Sequence, residues 1–284
     1  MAAFREWTPG DACECIAVPG IGDDKYSRGV LGVVTGSEQY PGAAVLGVEA
    51  ALRTGLGMVR YLGPARPTGL VLERRPEVVT SPGRVQAWLL GSGMDAAQRD
   101  DETTSRLAEA LDQSLPTVLD AGALDLLGRA THGAAGIVIT PHLRELARVL
   151  DTEVAAIARD PAEAARRAAG ELGATVLLKG HTTHVVAPDG TGFTTSIAPS
   201  WTATAGTGDA LGGVLGALLA THAEELTRES SGGTLAARLA ATASVLHGLA
   251  ATRASAGGPF VVLDLAAALP AVISGLLAGH PASS

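Results

Sequence analysis

Short apolar runs alternate with longer alanine-rich stretches along most of this 284-residue chain. The apolar runs have the length of strands, whereas the alanine-rich stretches have the length and spacing of helices. This alternation predicts βαβ units around a mostly parallel sheet. Because aromatic residues make up only 3% of the chain, the core must consist mainly of Ala, Val, Leu and Ile, which suits parallel strands covered by helices. We therefore predict an α/β fold, with a local antiparallel edge where Asp189-Gly190 favours a hairpin.

The same pattern predicts where the elements and the domain lie. Strands are predicted at residues 30–35, 58–62, 87–90, 117–120, 136–140, 175–179 and 184–187, and helices at residues 43–54, 101–114, 121–130, 142–150, 161–172, 209–220 and 234–254. We expect one domain over residues 25–278, an irregular N-terminal arm at residues 1–24 and a flexible tail at residues 279–284.

Composition and charge narrow the classes of function. The formal net charge is −8 and the chain has no basic cluster, which argues against a nucleic-acid partner. Cys13 and Cys15 are too close together in an extended arm for a useful disulfide, and the chain has no other cysteine to complete a zinc site. We find no signal peptide pattern and no apolar run near the ~20 residues that span a bilayer. We therefore expect a cytoplasmic protein without a membrane partner.

The sequence Gly206-Thr207-Gly208-Asp209, directly before an apolar helical pattern, is the strongest functional signal. A glycine-rich turn at a helix start exposes backbone N–H groups, and the helix dipole adds partial positive charge, so this segment predicts an anion site. A carboxylate beside a bound phosphoryl group can accept the proton of a substrate hydroxyl. The alternative is that Asp209 only caps the helix, since Asp is favoured at that position.

Five further loops follow predicted strands and carry Gly, His, Lys or Asp. In an open parallel sheet, ligands bind beyond the carboxyl ends of the strands. Turn chemistry explains each loop singly, but their shared position indicates a pocket. The loops are Gly36-Ser37, Gly91-Ser92-Gly93, Asp120-Ala121, Thr140-Pro141-His142 and Lys179-Gly180-His181.

Several of these residues also have a structural interpretation. Lys179 could bind a nucleotide phosphate or be a surface lysine before a turn. Residues 140–145 have the chemistry of a helix start with Thr140 as the cap, so His142 is either a pocket donor or a solvated first-turn residue. The segment at residues 91–96 matches a dinucleotide-binding fingerprint only weakly, and His247 is interpreted as a satisfied helix histidine.

A wider set of motifs occurs in a recognisable order. The set is Thr35-Gly36-Ser37, Tyr40-Pro41-Gly42-Ala43, Gly91-Ser92-Gly93, Leu119-Asp120-Ala121, Thr140-Pro141-His142 with Glu145, Leu178-Lys179-Gly180 with Thr183, and Gly206-Thr207-Gly208-Asp209. It resembles the ADP-dependent NAD(P)H-hydrate dehydratases of the ribokinase-like superfamily, from about Lys25 to Ala254. The Gly-x-Gly-Asp element is shared by many ribokinase-like kinases, whereas the Thr-Gly-Ser with Tyr-x-Gly-Ala and the Thr-Pro-His with Glu elements are more specific.

This resemblance implies a three-layer αβα sandwich and a repair enzyme. Such an enzyme returns hydrated NADH or NADPH to the intact dinucleotide and converts ADP into AMP and phosphate. By analogy with the kinases, phosphoryl transfer to the hydrate hydroxyl would precede loss of phosphate. The resemblance also implies ADP as co-substrate, Mg²⁺ bound through the nucleotide phosphates without metal-ligating side chains, and a homo-oligomer such as a tetramer.

Matched motif by motif, the resemblance assigns roles to individual residues. Asp209 is the expected base, and the N–H groups of Gly206, Thr207 and Gly208 would stabilise the transferred phosphoryl group. The residues expected at the hydrate are Ala43, Gly93, His142 and Asp209, and those expected at the adenine nucleotide are Lys179, Gly180, His181, Thr182, Thr183 and Gly208. Ser92 and Asp125 depart from the family pattern within the expected pocket. Some relatives carry an N-terminal epimerase domain, which residues 1–24 are too few to form.

Two other functions are compatible with the same motifs. A ribokinase-like, ATP-dependent kinase of a thiazole or pyrimidine alcohol would use the same Asp209 and anion turn but would release a phosphorylated product. A non-catalytic nucleotide sensor on the same fold is disfavoured by an intact Asp209 in an intact glycine turn. The residues leave open whether the hydrate of NADH or of NADPH is preferred.

Overall fold

A nine-stranded sheet forms the centre of the computed structural model, which describes residues 3–130, 136–228 and 233–279. The strands are β1 (Arg5–Glu6), β2 (Val30–Val34), β3 (Met58–Tyr61), β4 (Ala87–Leu90), β5 (Thr117–Leu119), β6 (Ile137–Ile139), β7 (Thr175–Leu178), β8 (Thr183–Val186) and β9 (Gly192–Thr195). Their order across the sheet is β1-β9-β8-β7-β6-β5-β4-β2-β3. Among these described strands, only β8 runs antiparallel to its neighbours, which confirms the mostly parallel sheet and the predicted hairpin.

Helices pack on both faces of this sheet. They are α1 (Pro9–Cys13), α2 (Gly42–Thr54), α3 (Ala65–Arg74), α4 (Asp101–Leu111), α5 (Leu127–Ala130), α6 (Leu143–Val149), α7 (Val154–Arg159), α8 (Pro161–Leu172), α9 (Thr207–Thr221), α10 (Ala223–Arg228), α11 (Thr234–Ser255) and α12 (Val262–Gly279). Helices α2, α9, α11 and α12 contribute to one buried hydrophobic cluster, and α4 to α8 contribute to a second cluster on the opposite face. The predicted three-layer αβα sandwich is thereby confirmed.

The central strands are buried on both faces. Every residue of β2 and β4 is buried, as expected for parallel strands covered by helices on both sides. Gly32 in the middle of β2 allows the large ring of Trp88 on β4 to lie across it, because a Cβ at position 32 would lie only 2.3 Å from that ring. The Trp88 ring therefore packs directly on the backbone of β2.

The prediction of an irregular N-terminal arm is wrong for residues 5–13, whereas residues 14–24 form neither helix nor strand. Strand β1 pairs in parallel with β9 at the edge of the sheet, and α1 begins with a capping box formed by Thr8 and Asp11. Trp7 is 2% exposed, and its indole N–H donates to the Thr242 hydroxyl at 3.0 Å. Helix α1 ends at Cys13. Cys13 and Cys15 are both free and buried. Burial of Trp7 orders a segment that has little local signal of its own.

The prediction that no apolar run approaches the length needed to span a bilayer is also wrong. Two described helices, α11 and α12, are long and apolar enough to cross a membrane by length and composition alone, with mean hydropathies of 1.2 and 1.9 over 18-residue windows. The window in α11 is 78% buried inside the fold, whereas that in α12 is 28% buried. Helix α11 is long and apolar because it is a core helix packed under the sheet.

Several element boundaries differ from the predictions. The helix predicted at residues 121–130 is a 3₁₀ turn over Ala121–Leu126 followed by the short α5. Helices α3, α7, α10 and α12 have no counterpart in the prediction, because short helices, or helices with internal Gly or Pro, have weak periodicity. Residues 280–284 of the predicted tail lie outside the described residues.

One fully buried carboxylate links two helices at the β3 edge. Glu49 on α2 has 0% side-chain exposure and accepts hydrogen bonds from Arg53, at 2.6 Å, and from Arg75. Arg74 approaches the same carboxylate at 3.6 Å. Although burial opposes its ionisation, hydrogen bonds from Arg75 and Arg53 hold the pKa of Glu49 below its usual value.

Candidate active site

The glycine turn before α9 has the geometry of an anion site. Gly206 is the N-cap of α9, with φ of 94°, and a Cβ at this position would lie 2.5 Å from Leu46 Cδ1. Both the left-handed backbone and the close contact therefore require glycine. Helix α9 begins at Thr207 without a side-chain cap. The Thr207 N–H donates to the Thr204 carbonyl at 3.3 Å, so the N–H groups that follow it in the first turn are the ones available to an anion.

Asp209 lies in the first turn of α9, beyond the cap position. The interpretation of Asp209 as a helix cap is therefore wrong. Burial, followed by the negative charge of Asp120, raises the pKa of Asp209 to about 7, while the Lys179 ammonium acts in the opposite direction. A carboxylate with this pKa is half ionised near neutral pH, which is the range in which a general base works best.

Contacts on both sides of the turn hold Thr207 in place. Its hydroxyl donates to the carbonyl oxygens of Thr202 and Thr204, at 2.9 and 2.8 Å. Its own carbonyl accepts a hydrogen bond of 3.0 Å from Nε2 of His247 on α11. Burial lowers the pKa of His247 to about 4, so the ring is neutral and carries its proton on Nε2. The interpretation of His247 as a satisfied helix histidine is confirmed, and the bond also fixes the first turn of α9.

Lys179 follows β7 and is held by two carboxylates. Its Nζ lies 3.0 Å from Oδ1 of Asp120 and 3.8 Å from Oε2 of Glu145. Although burial opposes the charged ammonium, these neighbours raise the pKa of Lys179. The alternative of a surface lysine before a turn is wrong, because its side chain is only 22% exposed and is paired.

Asp120 organises this part of the pocket. It follows β5, is 3% exposed, and accepts a hydrogen bond of 2.7 Å from the Thr140 hydroxyl. Burial disfavours its ionised form, but the Lys179 ammonium and the Thr140 hydroxyl bring its pKa below the ordinary value. The sequence placed Asp120 in a pocket loop without assigning a role to it, and its position directly after a strand was the one available signal.

Lys179 also lies beside the anion turn. A Cβ built on Gly208 would lie 3.6 Å from Nζ of Lys179, so ammonium and helix N-terminus face the same volume. Two predicted nucleotide residues, distant in sequence, are thus brought together. Of the remaining predicted nucleotide residues, Gly180 and His181 are exposed, while the Thr182 hydroxyl shares a hydrogen bond of 3.0 Å with Ser196 on the opposite side of the hairpin.

Residues predicted to contact the hydrate line the loops after β2, β4 and β6. Gly93 has φ of 67°, and a Cβ there would lie 2.3 Å from Cβ of Ala43 and 3.0 Å from the Tyr40 carbonyl. The loops after β2 and β4 thus pack directly against each other, and the Gly36 N–H donates to the Ser92 carbonyl at 2.7 Å. This close packing of the two loops requires glycine at position 93.

His142 is the N-cap of α6, with a half-exposed side chain. Its Nδ1 accepts the Glu145 N–H at 3.1 Å, and Glu145 accepts the His142 N–H at 2.8 Å. The prediction that Thr140 caps this helix is wrong, since its hydroxyl is used by Asp120. The backbone of His142 pairs with that of Lys179, which places both side chains at the same edge of the sheet.

No group of three or more His, Cys, Asp or Glu side chains is arranged to hold a metal ion within residues 3–130, 136–228 and 233–279. The two positions that depart from the family pattern are Asp125 and Ser92. Asp125 forms an ion pair with Arg99 at 2.8 Å, and Ser92 is buried beneath the pocket.

Comparison with known proteins places these features in a family. Residues 31–268 match the family model of the NAD(P)H-hydrate dehydratases. The chain is 45% identical over 213 residues to the bifunctional NAD(P)H-hydrate repair enzyme Nnr of Mycobacterium tuberculosis, covering 72% of this chain and 43% of that protein. It therefore spans less than half the length of this relative. It is also 36% identical over 212 residues to the ADP-dependent (S)-NAD(P)H-hydrate dehydratase of Neisseria meningitidis, covering 69% of this chain and 71% of that one.

Solved structures share the fold. The ADP/ATP-dependent NAD(P)H-hydrate dehydratase of Bacillus subtilis, co-crystallised with ATP and Mg²⁺, superposes with a TM-score of 0.83 at 24% identity over 96% of this chain and 99% of that one. Hydroxyethylthiazole kinase of Pyrococcus horikoshii superposes with a TM-score of 0.62 at 16% identity over 96% of each chain. The fold is thus common to dehydratases and kinases, and the sequence match separates them. On the match over residues 31–268, the chain belongs to the NAD(P)H-hydrate dehydratase family.

Proposed function

We propose that the chain catalyses the ADP-dependent dehydration of hydrated NADH or NADPH, releasing AMP and phosphate. The observation that carries this proposal is the position of Asp209, with a pKa of about 7, in a helix turn that also faces the Lys179 ammonium. A base and an anion-binding turn at the same place suit phosphoryl transfer to a hydroxyl group. Family membership favours a hydrated dinucleotide as the substrate that carries this hydroxyl.

The first step is transfer of the terminal phosphoryl group of ADP. The N–H groups at the start of α9 and the ammonium of Lys179 bind the phosphoryl oxygens and neutralise charge that develops on them. Asp209 accepts the proton of the hydrate hydroxyl as its oxygen attacks phosphorus, and the bond to AMP breaks. The products of this step are AMP and the phosphate ester of the hydrate.

The second step is elimination from that ester. Phosphate is a far better leaving group than hydroxide, so the carbon–oxygen bond breaks readily once the ester has formed. The phosphate leaves as hydrogen phosphate, carrying the proton lost from the neighbouring ring carbon, and the double bond of the reduced nicotinamide is restored. Ala43, Gly93 and His142 border the volume in which we place this ring.

Mg²⁺ fits the same volume as part of a nucleotide complex. Magnesium commonly binds through substrate phosphates and one or two carboxylates, and Glu145 offers a carboxylate 3.8 Å from the Lys179 ammonium. We infer that the ion would be held through the nucleotide phosphates and would supply positive charge beside the transferred group. The homo-oligomeric state and the cytoplasmic location belong to this proposal too, and size-exclusion chromatography with light scattering would test the first.

The test is the absorbance of reduced nicotinamide in protein supplied with NADH-hydrate and Mg²⁺, with ADP, ATP or no nucleotide. We expect the absorbance to rise only with nucleotide, most strongly with ADP. Asp209→Asn should abolish the rise, and Lys179→Ala should weaken ADP binding at least tenfold, whereas exposed Lys25→Ala should change neither. Activity with ATP alone would overturn the choice of donor. Folded protein without any rise would refute the dehydratase and favour the vitamin-alcohol kinase.

A further inference from the structure

An open groove lies at the β3 edge of the sheet, between α3 and α4 and away from the nucleotide turn. It has a volume of about 1020 Å³, a size typical of small-molecule sites. Val34, Tyr61 and Trp88 on strands β2, β3 and β4 line its inner side, and residues of α3 and α4 line its outer side. Its dimensions exceed what the reacting nicotinamide alone requires.

The groove opens at the edge of the sheet that carries the active site. Gly36 and Ser37 after β2, and Met94 and Asp95 after β4, line its mouth. The backbone of Gly36 bonds to Ser92, and Gly93 packs against Ala43. The mouth is therefore built from the same two loops that border the proposed position of the nicotinamide ring.

The order of strands gives the direction in which a dinucleotide must run. From β7 the sheet continues through β6, β5, β4 and β2 to β3, and Lys179 follows β7 whereas the groove lies over β2 and β3. If ADP occupies the β7–β8 hairpin, the rest of the dinucleotide must extend the other way, from β7 toward β3. Neighbouring strands are ~4.8 Å apart, so the mouth of the groove lies only one or two strand spacings from Gly93.

The lining of the groove suits a nucleoside. Its two arginines are already paired, Arg99 with Asp125 and Arg106 with Glu102. The carboxylates of Glu38 and Glu109 also line it, and they can accept hydrogen bonds from ribose hydroxyls or from the amino group of adenine. Apolar area comes from Leu72 and Met94. This combination of apolar surface and acceptor groups fits an adenosine better than a second phosphate.

We propose that the groove between α3 and α4 binds the adenosine half of the hydrated dinucleotide. This inference rests on the proposed function, because it takes the nicotinamide half to lie at Asp209. It assigns the groove a role in substrate affinity and none in the chemical step. Filling the groove should accordingly raise KM for the dinucleotide and leave kcat unchanged.

Gly69 on α3 allows this test without disturbing the core. It lines the groove, it is exposed, and a Cβ at this position meets no atom within 4 Å. Gly69→Trp places a large side chain at the groove, and any larger residue also favours the helix over Gly. Gly170→Trp on α8 is the matched control, since Gly170 is an exposed helix glycine whose Cβ would also meet no atom within 4 Å.

Two hydrates are compared as substrates, that of NADH and that of reduced nicotinamide mononucleotide, which lacks the adenylate half. We expect Gly69→Trp to raise KM for NADH-hydrate at least tenfold, to leave KM for the mononucleotide hydrate unchanged, and to leave kcat unchanged for both. An unchanged KM for NADH-hydrate, or an equal rise for both substrates, would overturn the proposal. Gly170→Trp should behave like the unsubstituted chain with both.

Equilibrium binding by calorimetry separates this proposal from the proposed function. NADH-hydrate is titrated into the unsubstituted chain and into Gly69→Trp in the absence of ADP, so that no turnover is needed. Weaker binding by Gly69→Trp, with the mononucleotide hydrate unaffected, supports the groove even if turnover fails. Equal binding of NADH-hydrate by both chains would refute the groove even if the dehydratase assay succeeds.

Discussion

Replacing Asp209 by Asn should abolish activity and at the same time stabilise the fold. The pKa of Asp209 is about 7 in the folded chain, against an ordinary value of 3.8. Its ionised form is therefore disfavoured by folding, because burial and the charge of Asp120 oppose it. Asn has nearly the same shape and carries no charge at any pH. Active-site residues commonly lower the stability of the fold while they support activity.

The size and sign of the effect follow from proton linkage. Below pH 3.8 both folded and unfolded chains are protonated at Asp209, and this group contributes no pH-dependent term. As pH rises, the unfolded chain ionises first and gains stability relative to the folded chain. Above pH 7 the full penalty is reached, about 4 kcal/mol as an upper limit because the side chain is partly exposed. Between pH 5 and pH 8 the penalty should grow by about 2–3 kcal/mol.

Urea unfolding of both chains without ligands, at pH 5, 6, 7 and 8, measures this penalty. The difference in free energy of unfolding between Asp209→Asn and the unsubstituted chain should increase with pH and level off above pH 7. For the unsubstituted enzyme, kcat/KM should rise over the same range as Asp209 ionises. A difference that is independent of pH, or an Asn variant that is less stable at pH 8, would refute the assignment of a buried, half-ionised base.

Three other substitutions test the neighbouring contacts. Asp120→Asn removes a charge that raises the pKa of Asp209, so the acid limb of the rate profile should move to lower pH; an unmoved limb would contradict this coupling. His247→Leu leaves the Thr207 carbonyl without its donor and should cost about 1–3 kcal/mol in urea unfolding; His247→Gln, which keeps a donor, should recover part of this loss if the bond matters. Glu49→Gln leaves Arg53 and Arg75 without their buried carboxylate and should cost about 3–5 kcal/mol in the same assay, whereas exposed Glu224→Gln should cost nothing measurable.

The anion turn illustrates what local sequence can predict. Gly206 is needed because the backbone turns through a left-handed conformation directly before an apolar helix, and the adjacent residues of the sequence indicate this requirement. The role of Lys179 was proposed from its position after a strand. Its pairing with Asp120, 59 positions earlier, had no such signal, because two side chains meet only when their strands are placed in the sheet.

The N-terminal segment and His247 also depend on contacts that local sequence does not predict. Strand β1 has two residues, too few for any periodicity, and it exists because β9 offers an unpaired edge and the core accepts Trp7. His247 was interpreted correctly as satisfied, but its acceptor on α9 lies 40 positions away. Both outcomes depend on which elements become neighbours.

The sequence by itself determined the alternation of strands and helices, the parallel sheet and the residues after the strands that carry chemistry. These features depend on side-chain periodicity and turn preferences within a few residues. Only the tertiary structure decided the strand order that unites Lys179, Asp120 and Asp209, the raised pKa of Asp209, and the groove between α3 and α4. Burial and electrostatic coupling act through space, and strand order is not encoded in local periodicity, so these properties appear only when the chain has folded.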